Sequence, residues 1–233
     1  MDLSPIHVVP RRRLLTVTGV AGIAYTLSWI AGLAVAAPSP RLTAPGAQIA
    51  AAFAGHQTAV AVQFALTEGL PAAGLAIIAV ALARAARRSG AAAAARAALL
   101  AGAAAALISL LQFVLGEVLA GTASPGTAHL LYDAVNRLDG VKMSVLAVLG
   151  LAGAASRVLP RWLRYTGIVL AIAIAASGIA YLLLLPGLAI LAIPSGVLLL
   201  VFITGTGIVL GAPASKPRRE ALPATATAGS HSP

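Results

Sequence analysis

The chain has 233 residues, of which 60% are hydrophobic and only 9% charged, with a mean hydropathy of +0.96. A water-soluble domain of this size needs a far more polar shell, so the composition excludes one and points to an all-α integral membrane protein. The formal charge of +10 does not indicate nucleic acid, because the basic residues fall between apolar runs; the lack of cysteine excludes disulfides and thiolate metal sites.

Residues 1–13 are polar, end in Arg11, Arg12 and Arg13, and read as a cytoplasmic N-terminal segment. Leu14 to Ala37 is the first apolar run. It is longer than the hydrophobic region of a signal peptide, so it reads as a retained transmembrane helix. Residues 38–56 hold three prolines and then the mildly amphipathic QIAAAFAGH, a short interfacial helix. Gln57 to Ala83 is the second span, with Gln63, Glu68 and a kink expected at Pro71, whose nitrogen cannot donate. An Ala-rich connection bracketed by Arg84, Arg87, Arg88 and Arg96 leads to the third span, Ala97 to about Ala120, which holds Ser109, Gln112 and Glu117.

GTASPGT, residues 121–127, reads as a loop by its Gly and Pro content. The most polar stretch inside the apolar region follows, HLLYDAVNRLDGVK, residues 129–142, and it runs into a fourth helix ending at Ala155. Arg157, Arg161 and Arg164 come next, with Trp162 and Tyr165 as interfacial anchors. The fifth span runs from about Trp162 to Leu185, and the sixth from near Pro194 to near Gly211. The domain 14–211 is thus a six-helix bundle, and the polar tail 212–233 is expected to be disordered.

Lys and Arg set the orientation. Thirteen of the sixteen fall in the segments 11–13, 84–96, 157–164 and 216–219, the outer face collects only Arg41, and Arg137 and Lys142 complete the sixteen. The positive-inside rule then places both termini in the cytoplasm, with anionic lipids as partners of that basic rim.

A charge at the bilayer centre costs at least about 2.5–3.5 kcal/mol, so depth decides which charges need a partner. Counting about 20 residues per crossing from the cytoplasmic arginines puts Asp133, Arg137 and Glu117 at the outer interface. Glu68, Asp139 and Lys142 fall inside it. All six lie toward the extracytoplasmic end, forming a polar outer cap on the second, third and fourth spans. Asp133 and Arg137 are spaced i,i+4 and Asp139 and Lys142 i,i+3, both able to pair within the helix. Glu68 has no partner in its own helix, and its depth matches Lys142 best.

The candidate ligand or ion-pair cluster is therefore Glu68, Asp139, Lys142, Arg137, Glu117 and Asp133, with no catalytic residue and no cofactor indicated. His56, Glu117, His129 and Asp133 could in principle hold a zinc ion, but no HExxH-type pattern supports a metal site. GTGIVLG, residues 205–211, lacks the spacing of a nucleotide-binding glycine loop and closes a span; it reads as small-residue helix packing, as do Gly19/Gly22 and Gly150/Gly153.

The six-span layout, the segment PGAQIAAAFAGHQ and the loop RVLPRWLRYTG resemble uncharacterised multi-pass membrane proteins of high-GC actinobacteria, a family defined by a domain of unknown function. The resemblance implies a bacterial plasma-membrane location and carries no reaction or binding residues. Three functions are compatible with the residues: a non-enzymatic sensing or accessory protein, a small-solute or proton-coupled transporter, and an intramembrane metal-dependent hydrolase. The concentration of charge at one end favours the first, since alternating access needs a site near the midplane.

Overall fold

In the computed structural model, which describes residues 16–212, the long apolar runs all become helices. The basic stretch Arg11–Arg13 and the tail from residue 213 lie outside the described residues. The helices are α1 (Val17–Ala34), α2 (Gly46–Phe53), α3 (Gln57–Arg88), α4 (Ala92–Gly121), α5 (Pro125–Ala155), α6 (Arg161–Leu182) and α7 (Ala192–Gly211), the last preceded by a single turn at Pro186–Ala189. All except α2 are long and apolar enough to cross a membrane.

Two boundaries differ from the sequence reading for identifiable reasons. α4 begins at Ala92 rather than Ala97, because the alanine run is itself a strong helix former; Gly90, at φ +83°, ends α3 just before it. α5 begins at Pro125 inside the expected loop. Proline suits a first helical turn, and the Ala128 amide already donates to the Ser124 carbonyl at 2.8 Å.

The six long helices form a closed ring in which each packs on its chain neighbour and α7 returns to α1. Contacting residues run in opposite order across the seams, so neighbours are antiparallel. Glycine permits close approach at two of the seams. Between α5 and α6, a Cβ at Gly150 would stand 2.7 Å from the Gly167 carbonyl oxygen, and one at Gly140 would stand 2.7 Å from the Gly178 carbonyl oxygen. Between α1 and α7, Gly22 meets Gly207 and Gly19 meets Gly211, while Thr26 and Thr204 share a 2.6 Å hydroxyl hydrogen bond. The GTGIVLG segment thus packs helices, and its partner is the Gly19/Gly22 pair.

Inside the ring, one half is solid. Leu75, Ile78, Leu82, Leu149, Leu163, Leu170, Phe202 and Ile203 are fully buried in one cluster toward the end where the Ser89 hydroxyl donates to the Ser156 carbonyl. At the opposite end a smaller cluster forms under α2. Its Ile49 and Phe53 bury against Leu119, Ala120 and Ala128, and Phe53 meets Tyr132 edge-on. α2 is therefore seated on the protein, and Tyr132 Oη holds the loop before it by donating to the Pro40 carbonyl at 2.6 Å. The amphipathicity predicts a short interfacial helix, and its apolar face is packed on protein.

Candidate functional site

Glu68 sits where α3 changes its hydrogen-bond register. Residues Ala65–Gly69 form one π-helical turn, in which the Leu70 amide donates to the Ala65 carbonyl, five residues back. That bond leaves the Leu66 carbonyl without its usual helical donor, and the next residue in π register is Pro71, which has no N–H. Ser28 of α1 supplies the missing donor through its hydroxyl, at 2.6 Å. The disturbance expected at Pro71 includes a π turn immediately before it. Such turns re-aim side chains and recur at functional sites; this one carries the only carboxylate of α3.

The side chain it carries meets Lys142 of α5. Lys142 Nζ lies 2.7 Å from Glu68 Oε1, 2.8 Å from Oε2 and 2.8 Å from Asp139 Oδ1, so three carboxylate oxygens surround it, the two of Glu68 as hydrogen-bond acceptors and that of Asp139 as an ion pair. Glu68 and Lys142 are buried, whereas the Asp139 side chain keeps 21% of its surface exposed. The i,i+3 pair and the interhelical pair expected from spacing and depth are both present. A buried ion group of this kind gains little net stability over an apolar one, but losing one partner strands a charge.

Gln112 of α4 extends the group. Its Nε2 donates to the Val135 carbonyl at 3.1 Å and approaches Asp139 Oδ1 at 3.4 Å, which orients the amide. Its Oε1 is buried and has no hydrogen-bond partner among the described residues. Asp139 Oδ2 likewise has no partner among them. Asn136 is turned back on its own helix, donating to the Tyr132 carbonyl at 2.8 Å.

Two cavities meet at Asp139. One, of about 360 Å³, runs between α1, α5, α6 and α7 and is walled mainly by apolar side chains, including Trp29, Met143, Leu146, Ile174 and Leu200. The other, of about 260 Å³, lies toward α3 and α4 and includes Gln63, Thr67, Glu68, Gln112 and Asn136. Trp29, Leu33, Asp139 and Tyr181 line both. The charged group therefore borders both cavities.

The remaining candidates stand apart from it. Arg137 does not pair with Asp133; its Nη1 donates to the Leu182 carbonyl at 3.1 Å, at the C-terminus of α6, where a cation complements the exposed carbonyls. Asp133 faces His129 instead, at 4.0 Å. Glu117 is half-buried and takes part in no ion pair among the described residues. Among those residues no three His, Asp or Glu side chains gather closely enough to hold a metal, so His56, Glu117, His129 and Asp133 do not form one site.

Sequence reasoning missed Ser28, Trp29 and Tyr181. They lie on helices without charged residues in their apolar stretches, and nothing in their spacing marks the neighbour they face. Comparison of the chain with protein-family models, with curated proteins and with solved structures finds no match.

Proposed function

We propose that this protein is a multi-pass protein of the bacterial plasma membrane that binds a small ligand from the extracytoplasmic side, in a sensing or accessory role without enzymatic activity. The observation that carries the reading is the juxtaposition of Lys142 and Asp139, ion-paired with Glu68, with a cavity of about 360 Å³, within the range of small-molecule sites. A purely structural ion pair needs no void beside it.

Two features support the membrane placement. Large apolar side chains such as Leu27, Leu100, Leu107 and Ile172 are more than half exposed around the ring, as lipid contact requires. Arg84, Arg87, Arg88, Arg96, Arg157, Arg161 and Arg164 belong to the segments flanking the Ser89/Ser156 end, away from the cluster. On the positive-inside rule that end is cytoplasmic, anionic lipids are its partners, and the cluster lies in the outer half.

The chain lacks cysteine, so single cysteines report accessibility cleanly. Arg41→Cys and Gly126→Cys should react with a membrane-impermeant thiol reagent on intact cells, and Arg88→Cys only after lysis; the reverse pattern overturns the orientation. Asp139→Cys, which leaves the Lys142–Glu68 pair in place, should react from outside. A folded but unreactive variant would mean a sealed ion pair and would remove the binding reading.

A proton-coupled transporter is the second reading, favoured by the π turn of α3 at Glu68, since such turns recur at functional sites. Proteoliposomes under a potassium gradient test it: proton flux lost in Glu68→Gln would replace the sensing role with transport.

A further inference from the structure

We infer that the ligand is a lipophilic ammonium: a protonated amine whose head is held at Asp139 and Gln112 and whose apolar body lies in the larger cavity. The inference rests on the binding reading above and deepens it by assigning the ligand's chemistry. Three observations set the head. With its groups ionised, the cluster carries two carboxylates against one ammonium, leaving one negative charge in excess. Lys142 is already surrounded by three carboxylate oxygens and offers a ligand nothing. Two acceptors are left over beside it, Asp139 Oδ2 and the buried Gln112 Oε1. Trp29 Nε1–H and Tyr181 Oη–H border both cavities and can also donate, so it is the excess negative charge together with the Asp139 acceptor that selects a cation over an anion.

Gln112 cannot adapt by turning its amide over. Its Nε2 is committed to the Val135 carbonyl, and reversal would set two carbonyl oxygens face to face. The aromatic rings of Trp29 and Tyr181 border both cavities and present π surfaces that also favour a cation.

The larger cavity sets the tail. Its walls are almost wholly apolar away from Asp139 and Lys142, and Leu33, Ile193 and Val197, which border it, are each more than half exposed. In the proposed membrane placement these residues face the outer-leaflet side of the bundle. An amphiphile can therefore present its head to Asp139 and keep its chain in apolar surroundings throughout.

The test uses the full-length protein in nanodiscs of zwitterionic lipid. The Trp162→Phe variant leaves Trp29 as the sole tryptophan, because the chain has two and Trp162 is remote from the cavities. Hexylammonium, hexanol and hexanoate share one chain and differ in the head. Hexylammonium should change Trp29 emission saturably and raise Tm, while hexanol and hexanoate at the same concentration do neither. Adding Asp139→Asn, which keeps Lys142 paired with Glu68, should weaken hexylammonium binding about tenfold or more, the loss of one charge-assisted hydrogen bond. Equal responses to all three compounds, or a response to hexanoate alone, would overturn the ammonium assignment and leave the binding site standing. No response to any of them would sink both. Hexylammonium binding unchanged in Asp139→Asn would place the cation elsewhere and also overturn the inference.

Discussion

Toward the Ser89/Ser156 end of the ring, Leu75, Ile78, Leu82, Leu149, Leu163 and Phe202 meet with almost no exposure, whereas toward the Leu182/Pro125 end two cavities lie among the same helices. Both halves are drawn from the same few apolar residue types. The filled half brings leucine, isoleucine and phenylalanine from α3, α5, α6 and α7 into one cluster. The open half carries Glu68, Gln112, Asp139 and Lys142, whose polar atoms require partners at fixed distances and so hold the helices at a set separation. Close packing maximises contact, while a polar group specifies geometry, and the space beside the ion group follows from that difference.

The sharpest way to break this contrast is Lys142→Met, which leaves two carboxylates without their cation. Losing one member of a buried ion group costs about 3–5 kcal/mol. Tm should fall steeply, and Lys142→Met combined with Glu68→Gln should recover much of the loss; a double variant no more stable than the single would mean that neutralising Glu68 is not the role of Lys142. In the filled half, Phe202→Ala should cost about 3–5 kcal/mol by opening a void among fully buried neighbours. A loss below about 1 kcal/mol in denaturation would show that this half is not close-packed.

Gly150→Leu forces a side chain into the α5/α6 seam against the Gly167 carbonyl and should cost about 1–3 kcal/mol or more. Unchanged unfolding would mean that the two helices separate at little cost. Ser28→Ala removes the donor to the Leu66 carbonyl at the π turn, a loss of about 1–2 kcal/mol that should also speed amide hydrogen exchange around Glu68. Exchange that stays slow there would show that the turn holds without α1. The smallest effect belongs to Leu100→Ala on the outer surface, where the side chain is 71% exposed, and Tm should move by less than the equivalent of about 0.5 kcal/mol. A loss comparable with that at Phe202 would make this face an interface.

Part of the site was legible before any coordinates. Depth counting matched Glu68 to Lys142 because an isolated charge inside an apolar helix has few affordable partners, and the i,i+3 spacing tied Asp139 to the same lysine. The i,i+4 spacing misleads for Arg137. Its i,i+4 relation to Asp133 was available, but the open carbonyl at the end of α6 lies within reach and a sequence does not show where another helix ends. Ser28 was invisible for a related reason: its role exists only because α3 leaves the Leu66 carbonyl unpaired. The short helix at Gly46–Phe53 was legible as amphipathic, yet amphipathicity does not say whether the apolar face meets lipid or protein.

By itself the sequence determined six apolar helices, the separation of basic segments from the polar cluster, and the residues that had to seek partners. Those properties are local, set by composition, run length and the cost of an unpaired charge. Only the tertiary structure decided that the ring closes through Gly19 and Gly22 on α7, that α3 passes through a π turn at Glu68, and that a cavity lies beside Asp139. These depend on how closely two particular helices approach, which is a property of the pair and of the backbone groups each leaves unsatisfied.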